Sequence, residues 1–113
     1  MQAGWILRDG QVLAAAEVAD GFFDRLKGLL GRANYDGAML LPRTRSIHTF
    51  GLRFPVDVAF LDKEMRVVAM VRVGRWRVTL PRFGGRQVLE AQAGSFDRWG
   101  VRLGDQLEFR PTP

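Results

Sequence analysis

His48 is the one histidine of the chain and the residue type best suited to move protons near neutral pH. It stands nine positions before Asp57, in a segment that is otherwise mostly apolar. A turn over Gly51 to Pro55, followed by a returning strand, would let the two side chains face each other across an antiparallel pair. A carboxylate so placed fixes the imidazole tautomer and makes it a competent general base. The same residues also admit a structural arrangement: an ordinary hydrogen bond, or an Asp57 that accepts loop N–H groups. Ser46 and Thr49 lie nearby, but their spacing marks neither as a nucleophile.

Arg25, Arg53 and Glu90 complete this first candidate site. Glu90 follows Val88-Leu89 in a strand that reads as mostly buried, so its carboxylate needs an arginine or N–H partner. Arg25 and Arg53 are candidates to pair with Asp57 or Glu90, or to hold an anion. Metal ligation is not expected. A catalytic zinc site usually takes two or three histidines, and Asp57 and Asp62, five apart, project to opposite faces of a regular strand. The absence of cysteine excludes a disulfide framework, a thiolate zinc site, an iron–sulfur cluster and a cysteine nucleophile. Gly84-Gly85 is a turn pair without a strand–loop–helix unit around it, so no phosphate loop is present and no cofactor is expected.

A second region runs from Arg66 to Arg86. Arg72, Arg75, Trp76, Arg77, Arg82 and Arg86 form a candidate anion-binding patch, with Phe83 interleaved and no acidic residue between Glu64 and Glu90. The chain has a net charge of +5, and all its basic residues but Lys27 and Lys63 are arginines. Arginine forks onto phosphate or carboxylate, and an aromatic neighbour adds a stacking surface. An acidic protein surface and single-stranded nucleic acid both fit that pattern. So does a solvated strand edge whose charges prevent aggregation, and arginine bias is also what a GC-rich genome or a thermophile produces.

These residues must be positioned by one domain, because 113 residues are too few for two. Gly4 to Arg8 and Gln11 to Glu17 read as a hairpin closed by Asp9-Gly10. Asp20 is a candidate N-cap for a helix over Gly21 to Leu30, where Phe22, Leu26, Leu29 and Leu30 form one stripe and Gly31 ends it. Ala38 to Leu41, Ser46 to Phe50, Val56 to Leu61, Arg66 to Val73, Gln87 to Ala91 and Gln106 to Arg110 read as strands. Apolar residues on both sides of Val56 to Leu61 make it central. Val67, Ala69, Val71 and Val73 share one face by period two, and Gly74 to Gly85 is a long irregular loop. Ser95 begins a single helical turn that Gly100 closes. The expected fold is mainly β (α+β): a compact antiparallel barrel or sandwich of about seven or eight short strands with one principal helix.

Four pieces in order carry a resemblance to a known family. They are Arg25-Leu26-Lys27-Gly28-Leu29-Leu30-Gly31-Arg32, then Gly37-Ala38-Met39-Leu40-Leu41, then Ile47-His48-Thr49-Phe50-Gly51-Leu52-Arg53-Phe54-Pro55-Val56-Asp57-Val58-Ala59-Phe60-Leu61-Asp62, and finally Val88-Leu89-Glu90-Ala91 with Ala93-Gly94 and Gly104-Asp105. The chain resembles the domain-of-unknown-function 192 family over about Ala15 to Phe109. It is similar to the branch with His-Thr-Phe where many members carry Trp-Met. Leu30 stands where methionine is usual. The resemblance implies a small, mainly antiparallel β fold with one principal helix, and no established activity, cofactor or substrate.

The function expected from these features is a non-enzymatic binding or accessory domain that recognises an anionic or protein partner, such as an anionic ligand or an acidic protein surface, through the basic loop and the segment around His48. The alternatives are a small-molecule site or small enzyme using His48 and Asp57, and a single-stranded nucleic-acid-binding module using Arg66 to Arg86. The N-terminal residues lack the basic and apolar regions of a signal peptide, and no apolar run approaches the roughly 20 residues of a membrane span. A cytoplasmic location is the expectation.

Overall fold

The structure, a computed structural model, describes residues 2–19, 36–50, 52–79 and 84–113. Its strands are β1 (Gln2–Arg8), β2 (Gln11–Val18), β3 (Ala38–Pro42), β4 (Val56–Leu61), β5 (Val67–Val73), β6 (Gln87–Gln92) and β7 (Leu107–Pro111). One short helix, α1 (Ser95–Trp99), lies between β6 and β7. The helix expected over Gly21 to Leu30 falls outside the described residues.

The mainly β expectation holds, but the strands form neither a sandwich nor a closed barrel. They make one seven-stranded sheet in the order β5-β4-β6-β3-β2-β1-β7. The edge strands approach each other near Arg66 and Gln106, which form an isolated bridge. Val67 N–H donates to the Asp105 carbonyl at 2.8 Å and Leu107 N–H to the Met65 carbonyl at 2.9 Å. A β-bulge follows at once: Phe60 pairs with Ala69 and Leu61 with Val67, so Val68 is the extra residue. A bulge bends its strand and raises its twist, which accounts for the two edges meeting at one point rather than along a ladder. The sheet is also not wholly antiparallel, since β2 and β3 run parallel over Ala16↔Ala38 to Val18↔Leu40.

Local chemistry explains the elements. Asp9 and Gly10 both take positive φ, 52° and 77°, as a two-residue primed hairpin turn requires. β4 is buried at every position, which confirms the central placement its apolar residues predict. The bulge alters the period-two expectation for β5. Val67 packs into one core with Ile6, Leu40, Leu61 and Leu89, while Ala69, Val71 and Val73 lie against the other.

That second core positions the candidate site. Ile47, Leu52 and Phe54 of the β3–β4 connection pack onto Met39, Val58, Phe60 and Val88. Each such burial contributes on the order of 2 kcal/mol. Anchored this way, the connection alternates: Ile47 and Thr49 point in, His48 and Phe50 point out.

Candidate functional site

Two stretches far apart in sequence meet through Thr49, which is fully buried. Its hydroxyl donates to the Gly74 carbonyl at 2.7 Å and accepts from the Arg77 N–H at 2.8 Å. Its N–H donates to the Arg77 carbonyl at 2.8 Å. Thr79 makes the next link, its hydroxyl accepting from the Ile47 N–H at 2.9 Å and its own N–H donating to the Ile47 carbonyl at 2.9 Å. His48 and Val78 form an antiparallel bridge between these links. The result is a short irregular ribbon of residues 46–50 against 75–79.

The outward side of this ribbon is aromatic and basic. His48 stacks on Phe50 with ring centroids 5.2 Å apart and planes 26° apart. Phe50 in turn meets Trp76 across the ribbon at 5.9 Å and 32°. Phe50 is 45% exposed, Trp76 63% and Val78 61%. Arg75 and Arg77 flank Trp76, are exposed, and make no ion pair among the described residues. Trp76 takes φ 60°, a backbone conformation that suits glycine or asparagine. The two sequence candidates, the His48 segment and the arginine-rich loop, are thus one surface.

Asp57 lies elsewhere and serves the fold. Its Oδ1 accepts from Arg72 Nε at 2.9 Å, and its Oδ2 accepts from the Gly94 and Phe96 N–H groups at 2.9 and 3.1 Å. It therefore caps α1 from a different strand, since no side chain caps that helix from its own N-cap position, Gly94. The hydrogen bond and charge of Asp57 push the Arg72 guanidinium above its ordinary value. Arg72 also approaches Asp97 at 3.8 Å, and these groups line an open depression of about 350 Å³.

The expected pairing of His48 with Asp57 across two strands is not found. Asp57 sits opposite Arg72 and Ala91, and His48 opposite Val78. The chain does turn after Thr49, where Leu52 N–H donates to the Thr49 carbonyl at 3.1 Å, and β4 follows, but Leu52 and Phe54 are drawn into the core and His48 and Asp57 end on different elements. Glu90 is buried in β6 between Met39 and Val58. Burial alone pushes its carboxyl up to about 7, with no counter-charge acting on it among the described residues. Arg53 and Arg86 are exposed, and Arg25 and Arg82 fall outside the described residues. Among the described residues no three His, Cys, Asp or Glu side chains gather as a metal site. No helix among them is long and apolar enough to cross a membrane.

Sequence reasoning missed Phe50, Val78 and the hub role of Thr49. The signal was the alternation Ile47, His48, Thr49, Phe50, which puts His48 and Phe50 on one side of any extended segment.

Residues 5–109 match the sequence model of DUF192, described as "Uncharacterized ACR". A UPF0127 protein of Thermococcus sibiricus is 34% identical over 99 residues, covering 82% of this chain and 64% of that protein, so the chain spans just under two thirds of that relative. Two crystal structures are similar in fold at 22% identity. One, a protein of unknown function from Novosphingobium aromaticivorans, has a TM-score of 0.76 and matches 94% of this chain and 83% of its own. The other, described as a candidate transcription regulator from Sinorhizobium meliloti, has a TM-score of 0.78 and matches 96% and 92%.

Proposed function

The chain belongs to the DUF192 family, and from its own residues we propose that it is a non-enzymatic binding domain whose recognition surface is the ribbon of residues 46–50 and 75–79, directed at an anionic partner. The observation that carries this reading is the exposed row His48–Phe50–Trp76 beside Arg75 and Arg77. Charge segregation supports it. Residues 37–56 and 65–89 hold nine of the fifteen arginines and none of the twelve acidic residues. Such a field draws a polyanion in and raises its association rate, and the ribbon guanidinium groups, which make no ion pair among the described residues, then hold it. The depression beside Asp57 offers less, because its charged groups already satisfy one another.

The test compares two double variants with equal loss of charge. Arg75→Ala with Arg77→Ala removes the ribbon arginines, and Arg102→Ala with Arg110→Ala removes two exposed ones elsewhere. Affinity for heparin is measured from low to moderate salt. The ribbon pair is expected to lose about tenfold and the control pair less than threefold, by the usual scale of charge-assisted contacts. Equal losses would mean that net charge alone draws the polyanion, and the surface would have no special role.

A further inference from the structure

We propose that the partner of this surface is single-stranded nucleic acid, with bases stacking on the ring row and phosphates held by Arg75 and Arg77. The proposal rests on the binding reading above and names its ligand class.

Three observations favour it. The rings lie in sequence at 5.2 and 5.9 Å with modest tilts, so His48, Phe50 and Trp76 form a short stacked column that a base can extend at its exposed end rings, His48 and Trp76, rather than scattered apolar spots. Aromatic platforms between arginines are how sequence-tolerant single-strand binding is built, because every base has a π-face and every nucleotide a phosphate. A closed duplex hides its base faces inside its own stack and has no use for the platform.

The second observation is size. The exposed apolar residues of the ribbon are Phe50, Trp76 and Val78, each roughly half exposed. Side chains of this kind bury about 150–250 Å² when fully covered, so the patch offers roughly 300 Å². A stable protein interface takes about 800 Å² from each partner, of which roughly 450 Å² is apolar, more than this patch supplies. Stacking with phosphate contacts needs no such area.

The third is the backbone of Trp76. A bulky residue at φ 60° is held against its own preference at a turn position where asparagine fits. Strain retained at an exposed ring points to a use for the ring.

The experiment titrates the full chain with labelled oligothymidylate of about 12 nucleotides, a duplex of equal length, and a poly-glutamate peptide, followed by fluorescence anisotropy. Oligothymidylate is expected to bind best. Trp76→Asn, which suits the backbone and keeps the charge, is expected to weaken it about tenfold or more with an unchanged salt slope. Arg75→Ala with Arg77→Ala is expected to lower the slope of log affinity against log salt by about 1.4, the share of two phosphates on a single strand. Equal binding of duplex and single strand, or an oligothymidylate affinity indifferent to Trp76→Asn, would overturn the stacking proposal. Preference for poly-glutamate would overturn it while leaving the anionic-partner reading intact. Failure of all three probes to bind would overturn both.

Discussion

Asp57 and Trp76 are both singled out by sequence, and the fold treats them in opposite ways. Asp57 is buried, and both of its oxygens are engaged, by one guanidinium and two backbone N–H groups. Trp76 is 63% exposed, sits at a positive φ, and has arginines without ion pairs on either side among the described residues. The first region lowers free energy by satisfying itself. The second forgoes on the order of 2 kcal/mol of burial that its indole would gain in a core. A group whose hydrogen-bonding capacity is already filled has little left for a ligand. Groups left open at a structural cost are where binding is to be sought, and four substitutions probe that contrast.

The largest effect is expected at Asp57. Asp57→Ala leaves the Gly94 and Phe96 N–H groups without their acceptor and frees Arg72, whose half-exposed side chain water can still solvate. The loss is about 4 kcal/mol, mostly from the two stranded donors. Urea unfolding measures it. Binding at the ribbon should persist wherever the variant is folded. A folded Asp57→Ala chain of full stability that no longer binds would reverse the assignment of the two regions.

Glu90 sharpens the same contrast from inside the core. Its folded value of about 7 lies above the ordinary 4.5, so the folded state holds the proton more tightly than the unfolded state does. The stability it contributes is full below about pH 4.5, falls as pH rises to about 7, and is then flat. The total loss is on the order of 3 kcal/mol. Glu90→Gln should remove that slope, matching the native chain near pH 4 and exceeding it at pH 8. Thermal melts across that range check this. A Glu90→Gln chain less stable at pH 8 would show that a cation compensates the carboxylate.

How much of this was legible in the sequence depended on the range of the cause. The Asp9-Gly10 hairpin, the buried β4 and the turn of α1 closed by Gly100 at φ 70° follow from neighbouring residues, and the structure has all three. Asp57 stands in a strand that reads as central and is a candidate acceptor of loop N–H groups, but its partners lie 15, 37 and 39 residues away, and spacing alone does not choose among the arginines. The bulge at Val68, which hands the alternation of β5 from one core to the other, lies in a run whose alternation looks unbroken. The ribbon was visible as two halves. Their union rests on backbone bonds between residues 47–49 and 76–79 and on the Thr49 hydroxyl meeting Arg77, 28 residues on, a group that any exposed threonine also carries.

Thr49 therefore tests whether that union matters. Thr49→Val keeps the shape but strands the Gly74 carbonyl and the Arg77 N–H, a cost of about 2 kcal/mol. Trp76 N–H donates to the Thr49 carbonyl at 3.4 Å, so a shift of Thr49 also moves Trp76 relative to Phe50. Binding to an anionic probe should weaken along with stability, and Phe50 and Trp76 ring resonances should lose their mutual contacts. A variant that loses stability yet binds normally would mean that the arginines act without the platform.

The smallest stability effect is expected at Trp76, and it separates the two regions most sharply. Trp76→Asn gives up one exposed ring contact, worth about 1 kcal/mol or less. It also removes the penalty of a bulky residue in the left-handed region, roughly 1–2 kcal/mol, because asparagine tolerates that conformation. The two nearly cancel, so the unfolding midpoint should stay within about 1 kcal/mol of the native chain, with a gain more favoured than a loss. At Asp57 the residue and the fold stand or fall together. At Trp76 a chain at least as stable as the native one, but unable to bind, would show that the indole is kept for a partner. A clear loss of stability would mean instead that the ring is part of the scaffold, and the distinction between the regions would disappear.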